Sequence, residues 1–140
     1  MNLKFQYNLE NIDWQRVADI LKSVNMGYYD ASIHKKAFEN SYSVVFVFDE
    51  DTLIGFGRTI SDGAYQGAIY DVAVLDEYQG NSIGKKIINK LIDDIKNCNI
   101  ILYSAVGREG FYEKLNFRKM KTGMAMFSKA DIMKEKGFTE

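Results

Sequence analysis

Apolar and polar positions along the chain follow two different periods, and the first part of the chain predicts one strand and two helices. Residues 3–7 alternate as a short strand. Residues 14–24 place their apolar side chains on one helical face, directly after Asp13, a residue type that caps helix N-termini well. A second helix is predicted over residues 32–39, with Ser32 as its N-cap.

The central part of the chain predicts five more elements that include a strand–helix–strand unit. Residues 42–48 and 52–60 are β-rich runs around an acidic turn, which indicates an antiparallel hairpin. Residues 69–75 read as a further strand, and residues 84–96 carry an apolar helical stripe. A strand over residues 99–105 follows. We expect it to run parallel to the strand before the helix, through a right-handed crossover.

The last part predicts a short helix over residues 108–115, a hairpin from 117–120 and 124–128, and a loosely docked helix or tail from residue 130. The whole order indicates an α/β protein with a mixed sheet that is mostly antiparallel. With 140 residues, a single domain over 1–140 is expected.

Composition narrows the classes of function. Apolar residues make up 46% of the chain, which is enough for a packed core. The 18 basic and 19 acidic residues leave a net charge of -1, so no overall field attracts nucleic acid or an anionic membrane. No apolar run approaches the roughly 18 residues of a membrane span, and the N-terminus lacks a secretory segment. The lone cysteine, Cys98, fits a reducing compartment, so a cytoplasmic location is expected.

The most informative segment joins the strand at residues 69–75 to the helix at residues 84–96. Between them lies a loop of small and polar residues, which are Gln79, Gly80, Asn81, Ser82 and Gly84. Backbone N–H groups converge at a helix N-terminus, where the helix dipole adds positive charge, so this order of elements suits a phosphate group. It is neither a Walker loop nor a GxGxxG fingerprint, and an ordinary strand-to-helix turn stays open from the pattern alone.

Two linked motifs resemble one family. The stretch YQGNSIG resembles the Q/R-x-x-G-x-G/A signature of the GNAT superfamily, the acyl-CoA-dependent N-acyltransferases. Downstream, FYEKLNF at residues 111–117 resembles the second motif of that family. The resemblance implies a GNAT-like fold, in which one parallel strand pair splays around the cofactor and helices cover both faces of the sheet.

The resemblance also implies acetyl-CoA as co-substrate, with no metal. The pantetheine arm would bond to the backbone of Val72, Ala73 and Val74 like an added strand. Phe111 and Tyr112 of the second motif would also contact the cofactor. The pyrophosphate would sit on the loop and the first helical turn, formed by Gln79, Gly80, Asn81, Ser82, Ile83, Gly84 and Lys85.

Two residues depart from the family pattern. Ser82 stands where the family usually has Gly, and a positive φ there would cost a serine roughly 1–2 kcal/mol. We expect an ordinary backbone at Ser82, with Gly80, Asn81 and Gly84 absorbing the unusual torsions. Asn116 replaces the usual Gly of the second motif, and we expect it to preserve a left-handed helix C-cap.

The chemistry implied by the resemblance is attack of an amine on the acetyl thioester. Tyr112 matches the family's proton donor to the departing thiolate. Asp71 could act as a base for the amine, or could serve as a structural hydrogen-bonding group. Tyr28 and Tyr29 would be walls of the acceptor pocket, and Arg58 could bind an acceptor carboxylate or simply pair with an acidic neighbour. The only histidine, His34, is expected on the helix surface.

The leading hypothesis is therefore an enzyme that transfers acetyl groups to a primary amine of a small molecule or peptide. Besides this acceptor, neither nucleic acid nor a membrane is expected as a partner, and a homodimer is left open. One alternative is a non-catalytic acyl-CoA-binding sensor or interaction module. Another is a nucleotide-binding α/β protein, but no ribose-binding acidic residue follows the second parallel strand, which counts against it.

Overall fold

The structure is a computed structural model that describes all residues 1–140. The chain forms two compact units, Met1–Leu102 and Tyr103–Glu140. The single domain expected over residues 1–140 stays a prediction.

The first unit is built on one open sheet of five strands in sequential order. All neighbouring strands pair antiparallel except the last two, which are parallel. This confirms the mixed, mostly antiparallel sheet. The strands are β1 Leu3–Gln6, β2 Ser43–Asp49, β3 Thr52–Ser61, β4 Gln66–Val74 and β5 Asn99–Ile101.

Helices cover both faces of this sheet, as expected. Phe56 of β3 packs in a core with residues of α1 (Trp14–Ser23) and α2 (Ala31–Glu39). Side chains of consecutive strand residues point to opposite faces. The neighbouring Gly57 accordingly faces α3 (Ile83–Asp94), and a Cβ there would come within 2.9 Å of Ile87.

Of the two predicted helix N-caps in this unit, one is correct and the other is wrong. Asp13 caps α1 as predicted, since its carboxylate accepts hydrogen bonds from the Gln15 and Arg16 amides. The prediction of Ser32 as the cap of α2 is wrong, because the helix already begins at Ala31 and Asp30 occupies the N-cap position.

A β-bulge interrupts the pairing of β3 with β4. Phe56 pairs with Ala73, but Arg58 pairs with Tyr70, so β4 holds one extra residue at this point. The extra residue brings Asp71 into the left-handed region, with φ +56°. Bulges bend and twist the strand that carries them, so β4 changes direction at Asp71.

The parallel pair is short, and this leaves an open edge. β5 pairs with β4 only over Gln66–Ala68 and ends at Ile101, whereas the sequence predicts a strand up to residue 105. From Ile69 onward no strand pairs with that edge of β4. The two strands therefore part, in agreement with the expected splayed pair.

The second unit contains two short helices, α4 Glu109–Glu113 and α5 Ala130–Glu135. Tyr103, Phe127 and Phe138 form an aromatic cluster within it. The predicted hairpin of residues 117–120 and 124–128 is wrong, because neither segment is a strand. Met124 and Met126 are 95% and 100% exposed, so this segment has no buried apolar face to stabilise a ladder.

Every helix of the structure is too short or too polar to span a membrane.

Candidate cofactor and acceptor sites

The open edge of β4 ends at a backbone carbonyl that faces away from β3. The Leu75 amide donates to the Ile54 carbonyl of β3 at 2.9 Å. Backbone groups alternate in direction along a strand, so those of Val74 point to the open edge. The Val74 carbonyl accepts a bond from the Gln79 side-chain amide there, at 3.2 Å. Val72 and Val74 are half-buried, while the Ala73 side chain belongs to the core.

The loop after β4 is fixed by side-chain hydrogen bonds. It starts with a 3₁₀ turn, Asp76–Tyr78, and the Tyr78 hydroxyl donates to the Asp49 carboxylate at 2.6 Å. This bond is the main cause that lowers the pKa of Asp49, and the Asn2 amide adds to it. The Asn81 side chain donates to the Tyr78 carbonyl at 3.0 Å. The turn is thereby tied to the end of β2 and to the following residues.

Two residues of this loop adopt the left-handed conformation, Gly80 with φ +85° and Ser82 with φ +61°. The expectation of an ordinary backbone at Ser82 is therefore wrong. Ser82 is the N-cap of α3, and its hydroxyl makes no capping bond to the helix. Gly84 lies within α3 and Asn81 has no positive φ, so neither absorbs the torsion that falls on Ser82.

The first turn of α3 presents its amides beside this loop. The first bond back to the cap residue runs from the Lys86 amide to the Ser82 carbonyl, so the amides of Ile83, Gly84 and Lys85 precede it. Such amides have no intrahelical partner, and the helix dipole favours an anion beside them. The Ile83 side chain is buried, so only its backbone can serve a ligand here. The Lys85 side chain is exposed.

The structure joins Arg58 and Asp71 directly. The Arg58 Nε and the Asp71 Oδ2 are 2.7 Å apart, and their side chains are 14% and 24% exposed. The guanidinium also lies over the rings of Phe38 and Tyr70. Of the two roles open for each residue, this geometry favours pairing with an acidic neighbour for Arg58 and structural hydrogen bonding for Asp71. The acceptor-binding and base roles stay predictions.

Tyr28 and Tyr29 are brought together in the segment between α1 and α2. Both side chains are exposed and line a concavity of about 340 Å³. The Lys22 ammonium lies over the Tyr28 ring, 5.6 Å from its centroid. The other lining residues are Gln15, Ala18, Asp19, Lys22 and Asp30. Arg58 does not line this concavity.

His34 is a site residue that the sequence reasoning missed. The expectation of a surface residue is wrong, because His34 is only 4% exposed. Its Nε2 accepts a bond from the Tyr29 amide at 2.9 Å. Burial lowers the pKa of His34, the Asp71 carboxylate acts in the opposite direction, and the Arg58 guanidinium lowers it further. The helical spacing of His34 and Phe38, four residues apart on one face, was the available signal.

The second motif lies in the second unit. Burial raises the pKa of the Tyr112 phenol above its ordinary value, although the nearby Arg108 guanidinium acts in the opposite direction. Because the net effect is a raised pKa, the phenol stays protonated at neutral pH. Asn116 is left-handed with φ +73°, as predicted. The Phe117 amide bonds to the Tyr112 carbonyl and the Asn116 amide to the Glu113 carbonyl, which together form a Schellman motif.

The remaining chemistry is limited. No group of three or more His, Cys, Asp or Glu side chains is placed to hold a metal ion. Cys98 is half-buried and lies 3.6 Å from the Ser61 hydroxyl.

Comparison with known proteins gives a consistent result. The profile of the acetyltransferase (GNAT) family matches residues 5–117. The chain is 28% identical over 113 residues to GCN5-related N-acetyltransferase 1, chloroplastic, of Arabidopsis thaliana. This alignment covers 77% of this chain and 57% of that protein. The chain is also 30% identical over 124 residues to histone acetyltransferase TAP1 of Glycine max, in an alignment that covers 82% of this chain and 51% of that protein. The chain thus spans little more than half the length of these relatives.

A solved structure agrees with the sequence comparisons. A probable acetyltransferase of unknown function from methicillin-resistant Staphylococcus aureus superposes with a TM-score of 0.81 at 26% identity, covering 91% of this chain and 98% of that one. The chain therefore belongs to the acetyltransferase (GNAT) family.

Proposed function

We propose that the protein is an N-acetyltransferase that moves an acetyl group from acetyl-CoA to a primary amine of a small molecule or peptide. The amine attacks directly in a ternary complex of acceptor, acetyl-CoA and protein. The observation that carries the proposal is one continuous surface. It runs from the open edge of β4 through the left-handed loop to the uncapped first turn of α3.

This surface suits the two chemically different parts of coenzyme A. The amide-containing pantetheine arm can bond to an open strand edge as an added strand does. The strand segment Val72, Ala73 and Val74 would hold it through the backbone groups that face this edge, whereas those of Ala73 face β3. The pyrophosphate is an anion and needs converging N–H groups, which the loop and the α3 amides of Ile83, Gly84 and Lys85 would supply. No metal ion is assigned to the reaction.

The reaction needs two proton movements. An alkyl amine has a pKa near 10 and is mostly protonated at neutral pH, so it must lose a proton before or during attack. The thiolate that leaves acetyl-CoA gains from a proton donor. By resemblance to the family we assign that donor to Tyr112, whose raised pKa keeps the phenol protonated. Phe111 would contact the cofactor beside it. Asp71 is retained as a candidate base for the amine.

The acceptor would bind beside Tyr28 and Tyr29, with Arg58 as the candidate group for an acceptor carboxylate. Among the relatives' names, one gives an acceptor, the histone acetyltransferase, and another gives a location, the chloroplast. We carry neither of them over. A cytoplasmic location and a possible homodimer remain proposals from the composition and the family resemblance.

The test combines binding with turnover. Calorimetry with CoA should show binding, and a panel of amines with detection of free CoA thiol should show acetyl transfer to at least one of them. Gly84→Val should abolish CoA binding, because a branched side chain would stand on the pyrophosphate surface.

Gly123→Val is the control, since the nearest atom to a Cβ at Gly123 is 3.8 Å away and this residue is not among those assigned to the cofactor. Binding of CoA with no turnover of any amine would instead favour a non-catalytic acyl-CoA-binding module. Undiminished CoA binding by Gly84→Val would contradict the assignment of the loop.

A further inference from the structure

The segment between α1 and α2 has few internal bonds to hold it. At its start, the Met26 amide still bonds to the Leu21 carbonyl of α1. Among residues 27–32, the Tyr29 amide is the only backbone N–H with a hydrogen bond, and its acceptor is the His34 imidazole. We call residues 27–30 the tyrosine loop. The Asp30 carbonyl at the end of the loop accepts bonds from the Ile33 and His34 amides, so that end is joined to α2. Before Asp30, the His34 imidazole alone bonds to the backbone of a loop whose two rings line the concavity.

The bond determines the chemical state of His34. An imidazole nitrogen that accepts a hydrogen bond carries no proton, so Nε2 is bare and the proton of the neutral ring is on Nδ1. In the imidazolium both nitrogens are donors, and the Tyr29 amide would lose its acceptor. The bond and the protonated ring thus exclude each other.

The groups around the ring are few. The charged groups that face His34 are Asp71 from β4 and Arg58 from β3, and these two are already bonded to each other. From the tyrosine loop, the Tyr29 ring lies against the imidazole, with centroids 5.8 Å apart. The Asp71 carboxylate is already bonded to Arg58, so it is not free to pair with a protonated His34 ring. The burial of His34 also favours the neutral ring.

We propose that His34 is a positioning residue that anchors the tyrosine loop through its Nε2 and releases it when the ring is protonated. The loop is then held at neutral pH and loosened in acid. As the Tyr28 and Tyr29 rings are the proposed walls of the acceptor site, acceptor binding would weaken as the ring takes up its proton. This last step rests on the proposed function, whereas the anchor itself does not.

The anchor can be tested without turnover, by amide hydrogen exchange of the full chain followed by NMR. Protection is taken relative to the intrinsic exchange rate at each pH. The wild-type Tyr29 amide should lose at least about tenfold of its protection between pH 7.5 and pH 5.5. The Met26 amide, which bonds to a backbone carbonyl, serves as the internal control and should keep its protection.

Two variants separate the anchor from general packing. In His34→Gln, the side-chain oxygen is as many bonds from Cβ as Nε2 and can accept the Tyr29 amide, but it does not titrate. Protection of Tyr29 should therefore be the same at both pH values. In His34→Leu the acceptor is lost, and protection should be low at both. Should His34→Leu fail to fold, the wild type and His34→Gln still decide the matter.

The proposal is overturned if wild-type Tyr29 shows no protection at pH 7.5, if its protection is independent of pH, or if His34→Gln shows the same loss as the wild type. A second readout is the KM of the amine that turns over fastest in the panel. It should rise towards acid pH more steeply in the wild type than in His34→Gln, because protonation of the amine itself affects both proteins equally. If no amine turns over, the proposed function fails while the exchange measurement still decides the anchor.

Discussion

The Arg58 guanidinium and the Asp71 carboxylate form an ion pair across β3 and β4, with Nε and Oδ2 2.7 Å apart, at the bulge where β4 bends. Asp71 is left-handed, a conformation that costs most side chains roughly 1–2 kcal/mol and is tolerated better by Asp and Asn. Arg58 thus holds the side chain of Asp71, the residue whose backbone torsion bends β4. Beyond this bend lies the open edge of β4 proposed for pantetheine.

Substitutions at Asp71 should separate the ion pair from the backbone torsion. Asp71→Asn removes the charge but keeps a residue that tolerates the left-handed region, and should cost about 1–2 kcal/mol of unfolding free energy. Asp71→Ala should cost about 1 kcal/mol more, because alanine tolerates this φ less well. Urea unfolding measures both.

In an Arg58→Met background, the ion-pair share of the Asp71→Asn effect should disappear. Equal losses for Asn and Ala would show that the torsion carries no cost. A loss of turnover far beyond the loss of stability in Asp71→Asn would support the base role instead.

Ser82 offers a substitution that should stabilise the protein. Glycine at this position removes the left-handed cost of roughly 1–2 kcal/mol but adds about 0.5–1 kcal/mol of chain entropy in the unfolded state. Ser82→Gly should therefore raise the free energy of unfolding by about 0.5–1 kcal/mol, measured by urea unfolding. Ser82→Ala is the control, since it also lacks the hydroxyl but keeps the torsion, and it should give no gain.

The same two variants address CoA binding. The Ser82 hydroxyl makes no capping bond, and the loop amides do not depend on it. Calorimetry should therefore find CoA affinities within about threefold of the wild type for both. A large loss in both variants would mean that the hydroxyl itself binds the phosphate.

The sequence predicted the features that depend on local pattern. Apolar periodicity reports which face of an element is buried, and it located the helices and four of the strands to within a few residues. Asn116 was also predicted correctly, because a left-handed C-cap is a local motif with a small set of tolerated residues.

The features it missed depend on pairing and packing between distant residues. The torsions of Asp71 and Ser82 follow from the register of β4 on β3 and from the entry into α3, which no short window of sequence contains. The burial of His34 follows from how α2 lies on the sheet. β5 ends early because its pairing with β4 stops at Ala68, although its residues remain β-rich beyond that point.

Tyr112→Phe should cut turnover by about 10–1000-fold, with little change in acetyl-CoA affinity. The ring keeps its edge-to-face contacts with Phe111 and Phe117, so the free energy of unfolding should change little. Because the pKa of the phenol is raised above its ordinary 10.0, the wild type should keep this donor protonated as the pH rises through the neutral range. Steady-state kinetics and calorimetry measure the two effects, and wild-type turnover in Tyr112→Phe would remove Tyr112 from the donor role.

His34 should also leave a signature in the overall stability of the protein. Its pKa in the folded chain lies below the ordinary 6.5, so at pH values between the two the unfolded chain binds more protons. The stability that the neutral ring contributes is thus complete above pH 6.5 and declines as the pH falls towards the lowered pKa. As His34 is the only histidine, no other histidine contributes in this window. Urea unfolding at about pH 7.5, 6.5 and 5.5 should show this decline in the wild type and a flatter dependence in His34→Gln, whereas equal slopes would contradict the lowered pKa.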